Sequence, residues 1–133
     1  MNEGLLRVDV RQRAKKRCEY CQLPDVAPSF IRFQLEHIRA KRHGGSNALN
    51  NLAWACPRCN ERKGTNLSAV DPDTNRIVRL FNPRRDVWPG HFAWNGLRIG
   101  GLTATGRATA SLLDLNSDER LKFRHGLRRL GLF

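Results

Sequence analysis

Two C-x2-C pairs, Cys18 with Cys21 and Cys56 with Cys59, constrain this chain more than any other feature. That spacing lets two thiolates from one tight turn reach a single tetrahedral Zn²⁺, and two such pairs complete a closed structural site. The chain between the pairs must then fold back on itself. Within that interval Glu36 and His37 set a carboxylate beside an imidazole. The cysteines are expected to hold the polypeptide around this pair in place, so function is sought there first.

A staple also suits the size of the chain. Its 133 residues are 40% apolar with few aromatics, enough for one domain with a modest core that a bound metal would reinforce. The formal charge of +12, from 24 Lys and Arg against 12 Asp and Glu, points to a polyanionic partner. Most of these cations are arginine, whose planar fork grips phosphate oxygens in pairs. No apolar span and no long basic amphipathic helix is visible, which favours nucleic acid over a membrane. The opening Met1-Asn2-Glu3-Gly4-Leu5-Leu6 lacks a basic stretch followed by an apolar one, so no signal peptide is expected. The chain is accordingly placed in a reducing cytoplasm, where paired cysteines are more often metal ligands than disulfides.

Read in order, Val8 to Arg17 is a run of helix formers carrying Arg11, Arg13, Lys15, Lys16 and Arg17, and predicts a helix leading into the first cysteine turn. Its charges read equally as a solvated face or as phosphate contacts. Ser29 to Ile38 alternates polar and apolar residues, the period of a strand that ends on Glu36 and His37. Ala40 to Asn47 is polar with a glycine pair and predicts a loop. Leu49 to Trp54 reads as helix-like, and Asn60 to Gly64 as a helical turn stopped by glycine. Further on, Ile77–Phe81 is a strand candidate, and His91–Trp94 meets Leu97–Ile99 across Asn95-Gly96 as a hairpin. Thr103 to Leu115 predicts a helix. Ser117 has the character to cap a last one, reaching about Leu130 with Lys122, Arg124, Arg128 and Arg129 on it. With no repeat and no low-complexity linker, residues 1–133 are expected to form a single domain, with a motif core at about 17–64 and an extension at about 65–133.

The succession C-x2-C, Glu36-His37-Ile38, Gly44-Gly45, Asn51-Leu52, C-x2-C-Asn60 and Lys63 resembles the zinc-stapled branch of the HNH endonucleases, the ββα-metal nucleases. The resemblance covers about Arg17 to Gly64. It implies an α+β fold with a ββα-metal core, in which two strands and a helix enclose one divalent metal, followed here by a C-terminal hairpin and helical extension. It implies His37 as general base and Asn51 as the residue that orients the base or braces the loop. Glu36 and Asn60 follow as ligands of a catalytic metal, beside Cys18, Cys21, Cys56 and Cys59 as ligands of the structural Zn²⁺. Asn50 competes with Asn51 for the middle position, and the Asn-Leu pairing favours Asn51. The family more often has aspartate before the base and histidine at the last position. An amide oxygen with a carboxylate suits a hard ion such as Mg²⁺ or Mn²⁺.

The chemistry follows from these residue types. A neutral imidazole can take a proton from water near neutral pH, and one hard cation can polarise a phosphoryl oxygen. Arg39, Lys41, Arg42, Arg62 and Lys63 are five candidates to hold flanking phosphates, unranked by sequence. His43, His91 and His125 lie outside the motif and read as surface residues. The expected function is metal-dependent hydrolysis of DNA phosphodiester bonds, duplex DNA being the expected substrate, with 5′-phosphate and 3′-hydroxyl products implied by the resemblance. Two rivals come from other classes: a zinc-stapled nucleic-acid-binding module without catalytic activity, and a thiol redox protein. The second lacks the βαβ context that a redox C-x-x-C needs.

Overall fold

A computed structural model of the chain describes residues 2–25 and 31–133. Met1–Thr65 and Asn66–Phe133 each form a compact unit. The architecture is α+β: in chain order, helices alternate with strands that, among the described residues, pair into three two-stranded antiparallel sheets.

The first unit opens with α1 (Glu3–Arg13), whose N-terminus is capped by Asn2: its Oδ1 accepts from Leu5 N at 2.9 Å. The helix therefore begins before the expected Val8 and ends before the expected Arg17. Lys15 and Lys16 take left-handed φ of 56° and 61°, and this break aims the chain into the first cysteine turn. The arginines of α1 are struts rather than a free basic face. The Arg7 guanidinium donates to the Phe33 carbonyl and lies 4.9 Å from the centre of the Trp54 ring. Arg11 forks the Asp25 carboxylate at 2.6 and 3.0 Å, and Arg13 donates to the carbonyls of Leu49 and Leu52. Lys15 and Lys16 are exposed on this segment, and Arg17, also exposed, donates to the Gln22 carbonyl at 3.0 Å.

The strand expected over Ser29–Ile38 is β1 (Gln34–His37); Ser29 and Phe30 lie outside the described residues. It pairs with β2 (Leu52–Ala55), Glu36 opposite Ala53 and His37 opposite Leu52. The helix-like reading of Leu49–Trp54 is corrected here: a single 3-10 turn, Leu49–Asn51, leads directly into β2. All four β2 residues are buried, and a strand covered on both faces loses the alternation that would distinguish it from a buried helix. α2 (Pro57–Lys63) follows and packs on both strands, starting earlier than the expected Asn60 because Cys56 is its N-cap and Pro57 its first residue. Val10, Phe33, Leu52, Trp54 and the four cysteines make the core of this unit.

In the second unit β3 (Ser68–Val70), which the sequence did not announce, pairs with β4 (Ile77–Arg79). A short α3 (Trp88–His91) precedes the hairpin of β5 (Phe92–Asn95) and β6 (Arg98–Gly101). Asn95 pairs with Arg98, so the turn is Gly96-Leu97, one residue beyond the expected Asn95-Gly96. Gly96 takes φ +60° there, a value that suits the first residue of a two-residue turn and that glycine adopts without strain. α4 (Ala104–Leu112) is capped by Thr103 and α5 (Asp118–Arg129) by Ser117, each through a side-chain oxygen. Phe81, Phe92, Ile99, Leu113 and Leu115 form the core. Arg124 is buried, donating to the carbonyls of Leu97 and Leu115, and so does not belong to the solvated face expected on α5. Asp71, fully enclosed, accepts both arms of Arg107 at 2.9 Å, together with the Thr74 hydroxyl.

Candidate active site and metal centre

Two tight turns make the metal centre. Cys21 N donates to Cys18 Sγ at 3.5 Å and Cys59 N to Cys56 Sγ at 3.4 Å, so each C-x2-C pair curls its backbone around its first sulfur. The four sulfurs lie within 4.8 Å of one another and all are buried. For a metal–sulfur bond of about 2.3 Å a tetrahedron has sulfur–sulfur edges of about 3.8 Å; Cys21 and Cys56 are 3.7 Å apart. No disulfide joins them. Burial pushes the Cys18 and Cys59 thiols well above their ordinary range, so in this enclosure thiolates need a cation among them. The donor set fits a closed structural metal site and can hold a metal ion.

The residues between Cys18 and Cys21 reach the hairpin. Glu19 N donates to the Trp54 carbonyl at 2.8 Å, and the Glu19 carboxylate accepts from Trp54 N at 2.8 Å. The next residue, Tyr20, is buried and its hydroxyl donates to Glu36 Oε1. One turn of the chain therefore grips β2 through Glu19 and β1 through Tyr20. Sequence reasoning missed both residues, because a glutamate and a tyrosine inside a C-x2-C carry no signal of their own.

Glu36 points from β1 toward α2 and is 2% exposed. Its Oε2 lies 3.1 Å from the Lys63 ammonium, which also donates to the carbonyls of Ile38 (2.9 Å) and His37 (3.3 Å). Burial raises the Glu36 carboxyl above its ordinary value, against the pull of Lys63 and the Tyr20 hydroxyl. Asn60 stands three residues before Lys63 on α2, half-buried, and its amide has no hydrogen-bond partner among the described residues. A carboxylate and a free amide oxygen on facing elements are donors that fit a hard cation, with Lys63 already on one carboxylate oxygen.

His37, next along β1, is half-exposed, and its Nε2 is 2.8 Å from Asn47 Oδ1. An amide oxygen can only accept, so Nε2 carries the ring proton of the neutral imidazole and Nδ1 keeps the lone pair. Asn47 was not anticipated: a polar residue in a glycine-containing loop looks like turn chemistry until the loop's path is known. Asn51 closes that loop. Its Oδ1 accepts from Arg39 N at 2.9 Å, and its Nδ2 donates to the carbonyls of Arg39 (3.0 Å) and Ser46 (2.8 Å). The neighbouring Asn50 is exposed and takes no such part. Gly45 lets the two ends of the loop meet, for a Cβ there would lie 1.7 Å from the Arg39 carbonyl oxygen. Arg39, Lys41, Arg42 and His43 project from this closed loop into solvent. Of the five basic candidates, Lys63 is thus enclosed and engaged, while Arg39, Lys41 and Arg42 are open beside His37.

The remaining histidines fall on either side of the expectation. His43 and His125 are exposed. His91 is not a plain surface residue: its Nδ1 lies 2.6 Å from Thr103 Oγ1 and its Nε2 3.7 Å from Asp86 Oδ1, tying α3 to the cap of α4.

An antiparallel hairpin and a helix packed on it, with a histidine and a carboxylate at the strand end and four clustered cysteines, make up the segment where the chain is similar to a known family. The family model described as HNH endonuclease matches residues 18–66, which span both cysteine pairs and every motif position. Beyond that segment, Septu protein PtuB of Bacillus thuringiensis is 26% identical over 121 residues, 89% of this chain and 44% of that protein. The chain thus spans less than half the length of this curated relative. No solved structure matches. Among the described residues no helix is long and apolar enough to cross a membrane.

Proposed function

We propose that the chain is a metal-dependent endonuclease hydrolysing DNA phosphodiester bonds, duplex DNA being the substrate, through His37 as general base and one divalent cation. The observation that carries this reading is the setting of His37: the Asn47 bond to Nε2 leaves its Nδ1 lone pair open, and Glu36 precedes it on β1. In this mechanism His37 Nδ1 accepts the proton of the attacking water. Asn47 holds the ring in the tautomer that can do so, and Asn51 keeps the loop that carries Asn47 closed. Glu36 and Asn60 would hold Mg²⁺ or Mn²⁺, which when bound supplies charge stabilisation at the phosphoryl group and the departing 3′ oxygen. Arg39, Lys41 and Arg42 grip flanking phosphates. Zn²⁺ at Cys18, Cys21, Cys56 and Cys59 is structural, as four reduced thiols in a cytoplasmic protein would allow. The alignment with PtuB runs well past residue 66, which supports treating residues 1–133 as one nuclease domain with the second unit as its extension.

A second reading has one observation behind it. Both Glu36 oxygens already hold a donor, from Tyr20 and Lys63, as they would in a zinc-stapled nucleic-acid binder without activity. A supercoiled-plasmid assay with added Mg²⁺ or Mn²⁺, run beside His37→Ala, separates the two. The nuclease reading expects cleavage to fall by about 10²-fold or more in the variant, while both proteins bind DNA with the same steep salt dependence. Binding without any cutting by the wild type would favour the inactive binder.

A further inference from the structure

The Lys63 side chain is 3% exposed, and its ammonium faces three oxygens: Glu36 Oε2 at 3.1 Å and the carbonyls of Ile38 at 2.9 Å and His37 at 3.3 Å. Carboxylate and carbonyl oxygens are the donors that a hard metal cation takes. The Asn60 amide lies one turn earlier on the same flank of α2. An enclosed carboxylate without a counter-charge is costly, so the ionised Glu36 is held best with a cation beside it. Two cations cannot share it: a divalent ion within a few ångströms of a lysine ammonium, away from water, meets strong like-charge repulsion. The flexible four-carbon stem of lysine lets the head group leave while α2 stays in place.

We propose that Lys63 is the tethered counter-cation of the metal site, seated on Glu36 until a divalent ion displaces it, so that this competition sets the metal affinity. The inference rests on Glu36 and Asn60 being the metal ligands, as proposed above. It gives Lys63 a role distinct from phosphate binding and distinct from a static clamp, which would keep its three contacts whether or not metal is bound.

The test uses the zinc-loaded full chain and Mn²⁺ alone, with binding read from the loss of the free-Mn²⁺ electron paramagnetic resonance signal. If the ammonium is seated in about 90% or more of molecules, Lys63→Met should tighten Mn²⁺ binding by about tenfold or more, because the competing state is gone. Glu36→Gln should weaken it. A second measurement needs no variant: acylation by an amine-reactive ester, followed by mass spectrometry, should be slow at Lys63 without Mn²⁺ and several-fold faster once Mn²⁺ saturates the site. The exposed Lys15 and Lys122 serve as unchanging references. A folded Lys63→Met protein that binds Mn²⁺ no more tightly than wild type overturns the inference, as does a Lys63 that stays protected with Mn²⁺ bound; both leave the Glu36–Asn60 site standing. A wild-type chain that binds no Mn²⁺, or binds it equally with Glu36→Gln, overturns the metal site itself and the inference with it.

Discussion

His37 and Asn47 show how much a single hydrogen bond can decide. If His37 is the general base as proposed, a ring free to rotate or to change tautomer would present the wrong nitrogen to water part of the time, so Asn47→Ala should lower the cutting rate by about tenfold or more. DNA affinity should hardly move, since Asn47 adds no charge, and separate measurement of turnover and of DNA binding checks the split. At Asp71 the effect is one of stability against pH. The hydrogen bonds from Arg107 hold its carboxyl well below the usual carboxylate range, so its contribution is present above the ordinary aspartate pKa and lost as pH falls through the folded value. The second unit should therefore lose stability on acidification, and Asp71→Asn should flatten that dependence in an acid-unfolding titration. The cysteines, whose chemistry is specific to their type, were legible in the sequence as one cluster that could hold a metal. Residues whose part depends on where a loop or turn brings them, such as Tyr20, Asn47 and Lys63, were not, because the same types at the same spacings fill ordinary surfaces.

Among the elements, the loop from Arg39 to Asn47 is the most exacting. Gly45→Ala would drive a methyl into the Arg39 carbonyl, 1.7 Å from its oxygen, so the loop must open and the Asn51 bonds must break. A destabilisation of about 1–3 kcal/mol is expected, with cleavage lost together with the seat of Asn47. Gly126 supplies the contrast. It lies inside α5 with open space around its position, so Gly126→Ala should raise stability by about 0.5–1 kcal/mol through helix propensity alone. Thermal melts of both variants test the pair. The parts that sequence read well, the end of α2, the β5–β6 hairpin and α5, carry local punctuation: a glycine stop, a glycine turn, a serine cap. β2 was misread and β3 missed for a physical reason. Leu52–Ala55 is covered on both sides, and Ser68–Val70 is three residues long with two of them exposed, so neither shows the period of a half-buried strand.

At the scale of the whole chain, the four cysteines belong to one unit only. Chelation, or Cys59→Ser, should therefore unfold Met1–Thr65 while Asn66–Phe133, which has its own apolar core, keeps its structure. Circular dichroism and amide exchange on the chelated protein would show protection surviving in the second unit; global loss would disprove the independence. Composition announced the basic charge of the chain but not its use, since Arg7, Arg11, Arg13, Arg120 and Arg124 are spent on carbonyls and a carboxylate within the fold. What the cysteines do for the first unit has a consequence for the life of the protein. The turn between Cys18 and Cys21 steadies Trp54 through Glu19 and Glu36 through Tyr20, so losing the staple and losing the alignment of the site are one event. On the proposed nuclease reading, a newly synthesised chain should stay inactive until it has acquired its ion, and an oxidant that ejects that ion should silence it again.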